Sequence, residues 1–391
     1  MNQNISKQSA LKFVILLGLV SLFADMTYEA ARSITGPYLA VLGASGAIVG
    51  FIAGFGELIG YTLRLFSGYL SDKTKQYWGL TIFGYVINLF AVPLLALAGH
   101  WWVAAGFIVT ERIGKALRVP PRDAMLSYAT HEMGRGWGFG IHEAMDQIGA
   151  LLGPIIVTVV ILLKGGYKTG FAVLLIPAIL AISILLIARL LYPSPHDLEP
   201  KTIKLKTRGF SKVFWLYLLA IGFIAAGYAD FSLISFHFEK LSSVPDVWIP
   251  IFYAVAMGVD AIAALVLGRL FDKIGILAMV IATLISSFFA PFVFLGSFYY
   301  ALAGMALWGI GMGAQESIMR ASVANLVSSE KRGTAYGVFS TNYGIFWFLG
   351  SVFMGILYDK SIPALIVFSV LIQLVSIPIM LLIFKKSKYT L

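Results

Sequence analysis

The hydrophobic positions of this chain run in long blocks instead of alternating with polar ones. The stretches 11–23, 81–97, 171–191, 276–295 and 363–384 are nearly free of charge. Each approaches or reaches the ~20 residues with which a helix crosses about 30 Å of hydrocarbon. Twelve such spans fit, at 11–40, 44–71, 79–98, 101–119, 137–163, 169–191, 212–239, 247–271, 276–295, 297–321, 333–359 and 362–385. The longest polar stretch, 192–212, falls almost at mid-chain. It holds Pro193-Ser194-Pro195 with Lys201, Lys204, Lys206 and Arg208, the composition of a linker between two lobes. The pattern predicts an all-α polytopic membrane protein, with residues 1–191 as one six-helix lobe, 192–211 as linker and 212–391 as the other.

Composition sharpens this reading. Of 391 residues, 59% are hydrophobic and 12% charged, against about 25% charged in an ordinary soluble domain. The net charge of +10 would suggest nucleic acid in a soluble protein. Here the bases crowd the even-numbered loops, the linker and both ends, whereas the opposite side carries only Lys164, Lys168, Lys240 and Lys360. The positive-inside rule then places both termini in the cytoplasm, and no nucleic-acid partner is expected. Asp25, Glu29 and Arg32 continue the first apolar run, so it reads as a retained span and not as a cleaved signal. Without cysteine there is neither a disulfide nor a thiolate metal site.

The two halves also match in sequence. Gly68-Tyr69-Leu70-Ser71-Asp72-Lys73 recurs as Gly268-Arg269-Leu270-Phe271-Asp272-Lys273, and Arg135-Gly136 with Gly140 recurs as Arg332-Gly333 with Gly337. Ala24-Asp25 pairs in the same way with Ala229-Asp230. A repeat of about 200 residues with six spans in each copy is the signature of a transporter whose halves rock about a central site. A channel, a scaffold or a membrane enzyme has less reason to duplicate so. No phosphate loop, H-E-x-x-H or nucleophile–base pair is present, so neither an enzyme activity nor a cofactor is expected.

These residues resemble the major facilitator superfamily of secondary transporters. Gly68-x-Leu70-x-Asp72-Lys73 is similar to that family's motif between spans 2 and 3, with Lys75 in place of its glycine. The resemblance implies that Asp72 docks near the start of span 11 in one end-state, with Asp272 in the second copy. Gly140, Gly149, Gly153 and Pro154 follow G-x8-G-x3-G-P, similar to the span-5 element of antiporters, although Val157 and Thr158 replace its last glycine pair. Close packing of small residues is the other reading of that spacing. Arg112 resembles the arginine the family places beside its proton site, followed here by Lys115-Ala116 where glutamine–glycine is usual. The family's spans 1, 4, 7 and 10 line its cavity.

A charge at mid-bilayer costs about 2.5–3.5 kcal/mol, so ionisable residues inside spans mark the working interior. At about 100° per residue, Asp25, Glu29 and Arg32 share one face of span 1. Glu111, Lys115, Arg118 and Arg122 share one face of span 4, with Arg112 beside it. Glu143 and Asp146 are neighbours on span 5 next to His142, and Glu316 and Arg320 share a face of span 10. Glu57 lies on span 2 and Asp230 on span 7. Arg118, Arg122 and Asp123 flank Pro120-Pro121 and read as a charged collar ending span 4 or as a partner for Asp72; His237 reads as a rim residue. Glu29 with Arg32 is equally a structural pair or part of a substrate site.

The expected function is alternating-access transport of a small organic solute by proton-coupled export. Asp25 or Asp146 carries the proton, and Arg112 tunes it. The alternative is a symporter or uniporter for an anionic metabolite, favoured if Arg32, Arg112, Lys115 and Arg320 converge. A receptor built on a transporter fold ranks third. A monomer in a bacterial inner membrane is expected, with solute, protons and lipid as its partners.

Overall fold

The computed structural model describes residues 7–130, 135–193, 210–327 and 332–388. In hydrocarbon no water meets a backbone N–H or C=O, so a spanning segment has to bond internally and becomes helix. Among the described residues there are fifteen α-helices and no strand. They are α1 (Lys7–Val41), α2 (Gly46–Thr74), α3 (Tyr77–Leu94), α4 (Trp101–Thr130), α5 (Arg135–Leu162), α6 (Gly166–Val173) and α7 (Leu175–Leu191). The second half holds α8 (Lys212–Gly227), α9 (Phe231–Leu241), α10 (Trp248–Ile274), α11 (Leu277–Ser286), α12 (Phe289–Leu295), α13 (Phe298–Leu326), α14 (Arg332–Lys360) and α15 (Ile362–Lys388).

Three spans are each made of two helices end to end, namely α6 with α7, α8 with α9, and α11 with α12. Counting each as one gives the twelve expected. Ten are long and apolar enough to cross a membrane by hydropathy alone. The other two are α4, with four charged residues between Glu111 and Arg118, and α13, diluted by glycines, tyrosines, Gln315 and Glu316. Many large apolar side chains point outward, Leu163 at 78% exposure and Leu190 at 81% among them, as a lipid-facing surface requires.

The structure departs from the expected spans in two places. First, α4 passes through Pro120 and Pro121 and continues to Thr130. Its extension is anchored, since Arg122, Met125 and Leu126 are buried and Arg122 Nη1 donates to Ser21 Oγ at 3.0 Å. Second, span 7 is not continuous, because the helix stops at Gly227 and restarts at Phe231. Asp230 caps the new helix by accepting from Ser232 N at 2.8 Å. Two carbonyls at the break are met by side chains. Gly227 O accepts from Ser369 Oγ at 2.6 Å and Gln373 Nε2 at 3.0 Å, and Ala229 O from Trp308 Nε1 at 3.0 Å.

The described residues form two compact units. One comprises residues 1–32 with 62–203, the other 33–61 with 204–391. In the first, α3 lies along α4 at glycine contacts. A Cβ at Gly84 would sit 2.6 Å from Arg118 N, and one at Gly114 would sit 2.7 Å from Asn88 Cα. In the second, α10, α11 and α12 pack on α13, and α8 packs on α14 and α15.

Gly114→Val should therefore overpack the α3–α4 contact and cost about 1–3 kcal/mol, read as a lower unfolding temperature in detergent. Gly106→Ala, on the same helix with open space around it, should leave that temperature unchanged or slightly raised. An unchanged unfolding temperature in Gly114→Val would show that close backbone approach at Gly114 is not required.

Candidate functional site

The charged face of α4 and the acidic face of α1 meet in the first unit. Lys115 Nζ lies 3.8 Å above the centre of the Tyr28 ring and 3.9 Å from Glu29 Oε1. A desolvated cation over an aromatic face gains about 2 kcal/mol or more, so the ring does part of a counter-ion's work. One turn along, Arg118 is 1% exposed. Its Cζ stands 4.3 Å from the Tyr85 ring centre and 5.5 Å from that of Tyr28, and its Nε and Nη1 have no hydrogen-bond partner. Among the described residues no carboxylate pairs with this guanidinium directly; aromatic faces from α1 and α3 border it.

Arg112 pairs with its neighbour Glu111 at 3.4 Å, and Asn88 Nδ2 donates to both Glu111 Oε1 (2.7 Å) and Glu111 O (3.1 Å). The carboxylate is held between its own helix and α3. Asp25 is 6% exposed and its Oδ1 has no hydrogen-bond partner. The charges that act on it are those of Asp146, Lys115, Glu29 and Arg118. α5 comes this close because Gly149 and Gly153 face α1. A Cβ at Gly149 would lie 3.0 Å from Asp25 Cβ, and one at Gly153 would lie 2.6 Å from Met26 O.

A second polar chain runs from α4 to α5. Arg122 is paired with Asp123 at 2.8 Å and donates to Ser21 Oγ, which in turn lies 2.9 Å from His142 Nε2. His142 Nδ1 is 3.7 Å from Asp146 Oδ2. The expected collar is thus half right. Asp123 is 43% exposed, but Arg118 and Arg122 are buried, drawn inward by Tyr85 and Ser21.

The second unit presents a row of rings. Tyr61, Tyr343, Trp347, Tyr228 and Trp308 follow one another at 5.3, 5.5, 5.9 and 5.5 Å between centres. Tyr343 donates to Gln315 Oε1 at 2.6 Å, and Tyr228 donates to Trp308 O. Glu57 and Glu316 act electrostatically on Tyr343, and Asp260 and Glu316 on Tyr228.

Of the residues expected from sequence, Asp25, Glu29, Arg112, Lys115 and Asp146 come within reach of one another's charge. Arg32 is half-buried in the same unit. Glu143 is exposed, 3.5 Å from Gln147. Glu57 and Glu316 share the aromatic row of the second unit, and Asp230 is taken up as a helix cap. Pro154 is interior to α5, and its carbonyl accepts from Thr158 Oγ1. Gly68 meets Pro120 only at ordinary distance, and Gly268 faces open space. Lys73 and Asp272 are exposed. The side chains of Asp72 and Arg320 and the surroundings of Gly140 lie outside the described residues. His237 is no rim residue: it is buried, with Tyr358 OH 3.2 Å from its Nδ1. Sequence reasoning passed over Ser21, Tyr85 and Asn88. Asn88, a polar amide in a span without charge, was the one legible signal.

Comparison with known proteins agrees with the fold. Residues 17–351 match the model of the Major Facilitator Superfamily. An uncharacterized protein of Mycobacterium tuberculosis is 38% identical over 379 residues, covering 95% of this chain and 93% of that one. The multidrug resistance protein MdtH of Proteus mirabilis is 30% identical over 115 residues, 29% of this chain and 28% of its own. The crystal structure of a bacterial homolog to the human lysosomal transporter Spinster, inward-facing and unoccupied, superposes with a TM-score of 0.76. That likeness, at 16% identity over 97% of this chain and 98% of the other, is one of fold alone.

The Tyr85 ring, and not its hydroxyl, is what Arg118 uses, since the hydroxyl has no hydrogen-bond partner. Tyr85→Phe should leave thermal stability unchanged or slightly higher, because an unpartnered buried hydroxyl contributes nothing. Tyr85→Ala should cost about 3–5 kcal/mol, as losses of buried aromatic rings do. A large loss in the phenylalanine variant would refute this division.

Proposed function

Because the chain belongs to the major facilitator superfamily, we propose that it is a proton-coupled antiporter that exports a small organic solute. The two six-span halves alternately expose the site to either side of a bacterial inner membrane, with both termini cytoplasmic and a single chain as the working unit. The observation that carries this reading is Asp25, a buried carboxyl with an unpartnered oxygen, acted on by Asp146 and Lys115. Burial favours a neutral carboxyl and a nearby cation favours the anion, so an acid held between the two changes state when either balance changes. Alternating access supplies such a change, because water reaches the site from one side and then from the other.

In this reading Asp25 carries the proton, and Asp146 shares the site through its own charge. Lys115, held by Tyr28 and Glu29, is the cation that steadies Asp25 after deprotonation. Arg112 is tied to Glu111, so it acts on Lys115 and not directly on the acid. Export of an organic solute is supported by the span-5 spacing at Gly140, Gly149, Gly153 and Pro154 and by the partial likeness to a multidrug resistance protein. The aromatic row with Glu57 and Glu316 suits a solute with apolar, cationic character.

A second reading rests on Arg118. A buried guanidinium with two unpartnered N–H groups would receive an anionic substrate well. It makes the chain a symporter or uniporter for an anionic metabolite.

Inside-out vesicles with a fluorescent pH reporter and an imposed proton gradient separate the two. Lipophilic cations, amino acids, organic acids and sugars are added in turn. Antiport predicts that a cationic solute dissipates the gradient in wild type, with at least a tenfold loss in Asp25→Asn and a smaller loss in Asp146→Asn. Full activity in both variants would remove the assigned proton site. Flux of a labelled organic acid without proton exchange, lost in Arg118→Gln, would establish the second reading.

A further inference from the structure

The start of α2 and the end of α14 make an unusual contact within the second unit. A helix leaves its first N–H groups without intrahelical partners. In α2, Ile48 N donates to Ser45 Oγ at 3.3 Å, an ordinary local cap. The N–H groups of Gly46 and Ala47 instead donate to Asp359, to Oδ1 and Oδ2 respectively, each at 2.8 Å. One carboxylate, more than three hundred positions away, thus takes both. The positive end of the α2 dipole adds to the attraction.

Behind this cap the two helices touch through glycines. A Cβ at Gly54 would lie 2.9 Å from Ser351 Cβ and 3.0 Å from Phe348 Cα, and one at Gly355 would lie 2.5 Å from Gly46 O. Gly50 lies equally close to the backbone at Ser351. Tyr358, beside Asp359, binds His237 of α9 and carries the ring of Phe236 edge-on at 5.5 Å. The seam is tight, yet Asp359 itself is exposed. When the cap opens, water takes over both N–H groups and the carboxylate, so nothing is left buried and unsatisfied.

We propose that Asp359 is a positioning residue of the transport cycle, whose carboxylate holds the start of α2 against α14 and sets how often this seam opens. Glycine contacts make the closed seam fit, but they carry no preference for closing beyond packing. Asp359 supplies one that is directional, exposed to water and therefore reversible. The inference needs neither a proton nor a particular substrate, and it holds under either reading of the function above.

The chain has no cysteine, so a single introduced thiol reports alone. Ser351 is 2% exposed at the seam, and Thr81 of α3, fully buried in the first unit, serves as control. Full-length Ser351→Cys and Thr81→Cys chains in nanodiscs are labelled with a membrane-impermeant maleimide, each with and without Asp359→Ala. Loss of the cap should raise the labelling rate at the Ser351→Cys thiol by about two- to tenfold, the range expected for a helix cap, and leave the Thr81→Cys thiol unchanged. Asp359→Asn, which keeps one acceptor oxygen and no charge, should fall between, and it carries the comparison alone if Asp359→Ala does not fold. An unchanged rate at Ser351→Cys, or a parallel rise at both thiols, overturns the proposal.

Discussion

Charge in hydrocarbon has to find its compensation inside the protein, and α4 sets that problem most sharply. Within three turns it carries Glu111, Arg112, Lys115 and Arg118, with Arg122 just beyond. Facing lipid, each near mid-bilayer would cost about 2.5–3.5 kcal/mol. The packing of the first unit answers this helix residue by residue. Asn88 of α3 takes Glu111, Glu29 and Tyr28 of α1 take Lys115, Tyr85 and Tyr28 take Arg118, and Ser21 takes Arg122. The contacts with α3 need a close approach of the two helices. Gly84 and Gly114 remove the side chains that would hold α3 away from α4, so the glycine seam precedes the electrostatics.

The two halves of the chain solve related positions differently. Ala24-Asp25 and Ala229-Asp230 occupy corresponding places in the repeat, and each aspartate is buried. Asp230 accepts the Ser232 N–H through Oδ1 at the break in span 7, so one of its oxygens is engaged by backbone. Asp25 sits inside an unbroken helix, whose amides are already bonded to their own carbonyls, and one of its oxygens is left without a partner. A carboxylate that caps a helix loses its structural role when it takes a proton, whereas Asp25 does not. That asymmetry is a physical reason to put the proton on the first half and recognition by rings on the second.

Much of this was legible in the sequence. Ten of the twelve spans follow from length and hydropathy alone, because hydrocarbon thickness fixes the number of residues needed. Placement of Asp25, Glu29 and Lys115 on facing stripes followed from helical period. What the sequence did not reveal depends on contacts between distant segments. The inward turn of Arg118 needs Tyr85 at 4.3 Å, and the extension of α4 past Pro120-Pro121 needs Ser21. Neither partner is a charged residue, so a search for opposite charges misses both. The break in span 7 was hidden for a related reason. Gly227 to Asp230 is unremarkable until Ser369, Gln373 and Trp308 arrive to satisfy its carbonyls.

The span-5 glycines had two readings, packing or antiport, and the geometry shows the first. Gly149 and Gly153 let α5 lie against the backbone of α1 at Leu22 and Met26. That contact fixes the height of Asp146, one turn before Gly149, relative to Asp25, which lies at the seam itself. A side chain at Gly149 would separate the helices and weaken the charge interaction between the two acids, which falls with distance and with any water admitted between them. Small residues here are thus a requirement of packing whose consequence is electrostatic. The His142–Ser21 contact, on the same pair of helices, is held by the same approach. The spacing of Asp25 and Asp146 therefore depends on residues that carry no charge of their own.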